Sequence, residues 1–455
     1  MPDMSSRRVA RSSLVFLWVS VCLYALGCAN ERQGVPDAST PESSVRTATV
    51  RDPKDAGADA ARLEKDGRGP SGPSDFGTAT LPESAPELVG EIAPGTWKAI
   101  STNTLADVDP EQDTVLNPKY PQSSPWHGNS GQSGVIAAWC GGAFAYGFGK
   151  YGALLVWGGG HQDYYGNEVY AFDVDKLRWS RLSDPYRSPM FDGVGAYPHG
   201  RYPDGTPVPP HSVDLLEYHP KTQSFVSLHA ETNNLGGYTT STVYLFSLEQ
   251  KRWRHSHVSP KSLGSFGFSA YDGKRDVFWV EGGGGGPNPT SAFNPNPVND
   301  DGTFGEWTQY VEHIGVNGSV AAYDPLHDLI VVTVFRNGKD IRVIDPARPR
   351  EPTRTLMQSG TAPKLVAGHG WEWSEKRSAF IYWAGEHVFE LKASGDGGPS
   401  SIWVWTDLTS SQNSVLPEYA ANGVYGRFRI AKYGSAEIAF TVNSVSGSVY
   451  AFRIP

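Results

Sequence analysis

Four turns of similar make-up recur along this chain at intervals of roughly fifty residues, each joining two apolar runs. They are EYHPKTQSFVSL from Glu217, AYDGKRDVFWVEGG from Ala270, AYDPLHDLIVV from Ala322 and EWSEKRSAFIYW from Glu372. An aromatic residue, Tyr218, Tyr271, Tyr323 or Trp373, stands at the same place in each, shortly before the second run. Units of this period cannot bury both faces alone, so they must stack on one another. Two looser copies, FAYGFGKYGALLVWGG from Phe144 and FRIAKYGSAEIAFTV from Phe428, flank the four and complete a set of six.

Each unit supplies further strands. A third apolar run follows as EVYAFDV (168–174), TVYLFSL (242–248), KDIRVID (339–345), HVFELKA (387–393) and SVYAFRI (448–454), with only TSAFN (290–294) in the third unit. A fourth run centres on Trp179, Trp253, Trp307 or Trp403. Alternation and the β-branched and aromatic content favour strands throughout. The last unit lacks a fourth run, and GTWKAIS (95–101), with Trp97, has the missing character. The expected fold is therefore all-β: a six-bladed β-propeller of four-stranded blades over 94–455, closed by an N-terminal strand in the last blade. Closure of that kind removes an open sheet edge.

Composition agrees. Of 455 residues, 39% are hydrophobic and 12% aromatic, enough for a real core, while 51 glycines and 34 prolines point to many loops. A formal net charge of -9 argues against nucleic acid or an anionic lipid surface as the main partner, because both need a dense basic face.

Arg7, Arg8 and Arg11 precede an apolar run, Leu14 to Leu26, that is too short for a stable span and stops at Ala25-Leu26-Gly27-Cys28. This stretch, 1–27, resembles a bacterial lipoprotein signal, although Ala25 stands where leucine is usual. The resemblance implies diacylation of Cys28, a cell-envelope location, and contact with the membrane only through that lipid. Residues 28–93 are rich in Pro, Ser, Ala, Gly, Asp and Arg, cannot bury enough apolar area to offset their ordering entropy, and read as a disordered tether. The bland alternative is an ordinary cleaved secretory signal; on the lipoprotein resemblance Cys22 would be removed and Cys28 lipidated, leaving Cys140 without a disulfide partner.

LLVWGGG, followed by Tyr170 and Trp179, resembles a kelch repeat: apolar strand, glycine pair, downstream tyrosine, outer-strand tryptophan. The third unit matches in part, through Gly282 to Gly286 and Trp307. The resemblance implies a propeller of the galactose-oxidase-like superfamily. It transfers no catalytic residue, and no local motif places copper ligands here.

In such a propeller the innermost strands run parallel around a channel, so the residues just before them gather at one mouth. Those residues are Trp139 and Cys140, His211 and Ser212, Gly264 and Ser265, Asn317 to Ser319, His369, and Tyr425 to Arg427. His161, Asp163 and Tyr164 join them from the loop after LLVWGGG, and His199 and Arg201 from the insertion before unit two. The candidate ligand-binding set is therefore His161, Asp163, Tyr164, His211, Asn317, His369, Tyr425, Arg427 and Cys140. Histidine or tyrosine suits proton transfer and arginine suits a carboxylate, so the set fits an anionic sugar. The bland alternatives are a glycine-and-Asx turn for His161 and Asp163, and a small buried hydrophobe for Cys140. Trp371 and Trp373 read first as packing between blades. His161, His211 and His369 are of the right type for a divalent metal, yet no short-spaced signature accompanies them, and the sequence requires no cofactor.

The leading functional expectation is an envelope-anchored propeller that binds an extracytoplasmic ligand, a glycan first, at this mouth. A polysaccharide lyase at the same mouth is the enzymatic alternative, because no paired carboxylates at readable spacing favour a hydrolase. A scaffold for an envelope protein is the third reading.

Overall fold

The repeated turns close as left-handed hairpins. The residue immediately before the second strand has positive φ in five units: Gly152, Gln223, Asp276, Asp328 and Ser378. Most are polar residues whose side chains bond locally, which eases the cost of that backbone region. These hairpins are seen in a computed structural model that describes residues 86–455 apart from 121–122, 161, 188–199, 229–241, 257–266, 283–289, 299–303, 312–317, 335–339 and 399. The signal, Cys28 and nearly all of the expected tether lie outside the described residues, as do His161, His199, Gly264, Ser265 and Asn317.

The described strands form six antiparallel sheets, and the chain is a six-bladed β-propeller. From the channel outward, blade 1 is Gly142–Ala145, Ala153–Val156, Tyr170–Asp173 and Arg178–Arg181. Blade 2 is Leu216–His219, Ser224–Ser227, Tyr244–Ser247 and Arg252–His255. Blade 3 is Phe268–Asp272, Val277–Glu281, Thr290–Val298 and Phe304–Val311. Blade 4 is Val320–Asp324, Leu329–Val334, Asp340–Ile344 and the short Arg354–Thr355. Blade 5 is Gly370–Ser374, Ala379–Trp383, Val388–Ser394 and Ile402–Asp407, to which Met357–Gly360 adds a fifth strand in parallel. Blade 6 is Arg429–Tyr433, Ala436–Thr441 and Tyr450–Arg453, closed by Trp97–Ala99.

The second strands are buried on both faces, as in Ala153–Val156 and Leu329–Val334, because each blade packs between two others. Fourth-strand tryptophans anchor the rim of blades 1, 2 and 3. Trp179, Trp253 and Trp307 sit directly opposite Phe172, Phe246 and Phe293, with ring centroids 5.5, 5.2 and 4.8 Å apart. Cross-strand aromatic pairs of this kind are a main source of sheet stability.

The described residues include a segment ahead of residue 94 that packs on the propeller. Glu87–Glu91 forms one helical turn whose Leu88 and Val89, with Ile92 after it, are buried. Arg453 Nη1 donates to the carbonyls of Val89 and Ile92, at 3.1 and 3.0 Å. Three apolar residues in the ELVGEI stretch are enough to dock it, although the segment before it has none of that character.

Candidate functional site

Blades 6, 1 and 2 are consecutive around the ring, and their inner-strand entrances interlock. Val213 N donates to Trp139 O at 2.8 Å, and Gly141 N donates to Ser212 Oγ at 3.0 Å. A Cβ on Gly141 would lie 2.0 Å from Val213 O, and one on Gly426 would lie 2.2 Å from Gly142 O, so glycine is what lets these backbones approach. At each of the three entrances one non-glycine residue is left-handed: Tyr425 at φ 49, Trp139 at φ 51 and Val213 at φ 39. For a β-branched or aromatic residue this backbone region is strained.

The Trp139 indole is 37% exposed, and its edge-on contact to the buried His211 ring has centroids 5.1 Å apart. His211 Nδ1 lies 2.6 Å from Ala138 O. A carbonyl only accepts, so Nδ1 carries the proton in this contact. A Cβ on Gly160 would meet Asp163 Oδ2 at 2.6 Å and His211 Cε1 at 2.7 Å, so the carboxylate and the imidazole converge on one glycine. Beneath them Cys140 is fully buried, and its Sγ donates to the carbonyls of Ala138 and Gly134. Burial pushes the thiol up to about 11, which keeps it neutral and unreactive at ordinary pH.

Arg427 is fully buried and has no carboxylate partner among the described residues. Its Nε donates to Val442 O and its Nη2 to Gly423 O, while Nη1 has no hydrogen-bond partner among the described residues. Burial lowers it to about 10, so it keeps its charge and places positive potential under the entrance. Tyr425, the left-handed residue two positions before it, is also buried.

Two candidates stand apart. Tyr164 is fully buried, and its hydroxyl donates to Glu168 Oε1 at 2.8 Å; the Tyr170 hydroxyl donates to the same oxygen. Burial lifts Glu168 to about 7 against those two bonds, and its Oε2 has no partner among the described residues. His369 is buried with both ring nitrogens engaged, Nδ1 on Val366 O at 2.6 Å and Nε2 on Thr333 Oγ1 at 2.9 Å. Burial lowers it to about 4, so it is a neutral core histidine with no lone pair left for a metal. Among the described residues no group of three or more His, Cys, Asp or Glu is arranged to hold a metal ion.

Two ionisable side chains reach from one inner strand to another. Asp214 Oδ2, from the entrance of blade 2, accepts from Ala321 N of blade 4 at 2.9 Å, and burial raises its carboxyl well above the usual range. Arg429 of blade 6 donates to Glu372 Oε2 of blade 5 at 2.9 Å, to Leu216 O of blade 2 at 2.9 Å and to Gly142 O of blade 1 at 3.3 Å. Glu217 Oε2 lies 3.5 Å from the same guanidinium. Beyond these contacts, at the opposite end of the inner strands from the predicted set, lies a cavity of about 490 Å³.

Glu217, Glu372 and Arg429 escape a search for short-spaced motifs because they come from three separate blades. Comparing the repeats shows two of them. Alanine precedes the aromatic residue in AYDG and AYDP, whereas glutamate does so in EYHP and EWSE.

No family model matches this chain, and no curated protein matches it. Among solved structures it is similar to a structural genomics protein of unknown function from Bacteroides thetaiotaomicron VPI-5482, at 12% identity over 78% of this chain and 75% of that one, with a TM-score of 0.41.

Proposed function

We propose that this protein is a ligand-binding propeller that takes an extracytoplasmic glycan at the mouth formed by the inner-strand entrances of blades 6, 1 and 2. The observation that carries the reading is the run of three left-handed, non-glycine entrances, one of which displays the Trp139 indole beside His211. Closing a channel does not require such strain, and strain held by surrounding structure gathers at ligand sites. An exposed aromatic face next to a histidine and an aspartate is the mixture a pyranose uses: ring stacking on one side, hydroxyl hydrogen bonds on the other. The charge of Arg427 beneath favours sugars bearing a carboxylate. We further propose that the kelch-like repeats belong to an envelope protein held by a lipid on Cys28, as the N-terminal sequence suggests.

The test is a melting-temperature screen of the whole chain against acidic and neutral polysaccharides, since a ligand specific to the native fold raises the midpoint by mass action. A uronate-bearing polymer is expected to raise it, and Trp139→Ala to abolish the rise with little loss of unliganded stability. An undiminished rise in Trp139→Ala places the glycan elsewhere. No rise with any polymer favours a protein partner.

A further inference from the structure

The cavity at the other mouth has a different chemistry. Its wall carries the repeat aromatics Tyr146, Tyr218, Tyr271, Tyr323 and Trp373, with Glu217, Glu372 and Arg429 at its base. The hydroxyls hold the rings in place. Tyr271 donates to Asp276 at 2.7 Å, Tyr323 to Asp328 at 2.9 Å and Tyr146 to Ile430 O at 3.1 Å, while Tyr218 accepts from Gly147 N at 3.2 Å. With these hydroxyls engaged, the rings offer the cavity mainly their carbon surface.

The charges of the lining are unevenly committed. The Arg429 guanidinium is taken up by the carbonyls of Gly142, Gly426 and Leu216 and by Glu372. Lys432 pairs with Glu375, and Lys274 turns outward to Asp328. Among the described lining residues each cation therefore already has a carboxylate partner. Carboxylates are in excess in the lining, with Glu217, Glu372, Glu375 and Glu437 against Arg429 and Lys432 once Lys274 is paired with Asp328 outside it, and Glu372 shares its single guanidinium with Glu217. Negative charge at the base of an aromatic-walled cavity is the arrangement that attracts an organic cation, through the carboxylates at contact and through the ring quadrupoles along the wall.

We propose that this second mouth binds an organic ammonium group, independently of the glycan mouth. Ammonium groups of a free small molecule and of a basic side chain share the required chemistry: positive charge, apolar substituents, and a width that an aromatic cage accepts.

The experiment titrates the whole protein with choline and, in parallel, with 3,3-dimethylbutan-1-ol, which has the same shape without the charge. Calorimetry is expected to show choline binding about tenfold more tightly than the neutral alcohol, the size of a partly desolvated cation–π and carboxylate contribution. A trimethyllysine peptide as a third arm separates the two sources: tighter binding than choline points to a protein ligand, weaker binding to a free small molecule. Glu372→Gln and Trp373→Ala are each expected to weaken choline by about tenfold, and the unliganded melting midpoint shows whether either variant is still folded. Trp139→Ala, at the opposite mouth, is expected to leave choline binding unchanged. Equal affinity for choline and the alcohol, or no binding of either cation by the folded wild type, overturns the proposal.

Discussion

Asp328 Oδ1 lies 2.7 Å from Arg275 Nη1, and the two residues belong to the hairpin turns of adjacent blades. The second guanidinium nitrogen reaches Asp328 Oδ2 at 2.9 Å, making a two-point contact, and the Tyr323 hydroxyl completes the carboxylate. One blade earlier, Asp276 accepts from His219 Nε2 at 2.8 Å and from its own Tyr271. The repeat tyrosine thus braces the aspartate that stitches its blade to the one before. Between blades 5 and 6 the same join is made by Glu437, which accepts from Lys376 N at 3.0 Å.

Replacing Asp328 by asparagine keeps a residue that tolerates φ 58 but removes the charge. Loss of a two-point arginine contact and a neighbouring lysine is expected to cost about 2 kcal/mol. Urea unfolding of D328N beside R275Q and the double variant checks this. Strictly additive losses would show that the two residues do not interact.

The ring of blades was legible in the sequence because tyrosine, turn and apolar run recur together, and because Trp97 supplied what the last unit lacked. The entrance residues were legible as a set for the same reason: once the inner strands are placed, what precedes them must share one mouth. Their environments were not. The burial of His369 depends on Thr333, which arrives from the preceding blade, and no spacing in the sequence brings the two together. The Arg429 cluster is harder still, since its partners come from blades 1, 2 and 5. Its only local trace is Glu217 and Glu372 standing where other repeats carry alanine.

Trp139 permits a direct test of strain. Alanine and glycine at this position both lose the indole, so their difference in stability isolates the backbone. Glycine ordinarily costs about 0.5–1 kcal/mol against alanine within regular elements. At φ 51 the order should reverse, with Trp139→Gly more stable than Trp139→Ala by about 1 kcal/mol. Alanine as stable as glycine would remove the strain that motivates the entrance site.

Two buried groups give opposing pH dependences. Glu168 rises from 4.5 to about 7 on folding, so between those values the native state holds a proton that the unfolded chain has released, and stability falls as pH rises. His369 drops from 6.5 to about 4, so between those values the unfolded chain holds the extra proton, and stability falls as pH falls. Each is worth about 3 kcal/mol across its window, and the two nearly cancel between about pH 5 and pH 6. Relative to wild type, Glu168→Gln is expected to lose stability on acidification through that range, and His369→Gln to lose it as pH rises towards 7. Denaturation midpoints for the three proteins across the range decide it. Parallel profiles would show that neither group titrates as its burial implies.

Closure of the ring rests on a strand far from its sheet in sequence. Trp97 pairs with Phe452, and its ring lies 5.1 Å from that phenylalanine and 5.2 Å from Trp383 of blade 5. It is a buried plug between the N-terminal strand's own blade 6 and the neighbouring blade 5. Truncating it to alanine is expected to cost about 3–5 kcal/mol, the price of a large cavity between two blades. Deleting residues 1–101 goes further, because Tyr450–Arg453 then presents an unpaired edge, and edges of that kind recruit other chains. That shortened chain is expected to self-associate in analytical ultracentrifugation, whereas one beginning at Pro86 keeps every contact named here and stays dispersed. Adding back a peptide spanning 86–101 should restore the dispersed state if the strand acts by closing the edge. Failure of the peptide to do so, with the shortened chain still folded, would mean that its loss harms the ring by some route other than the open edge.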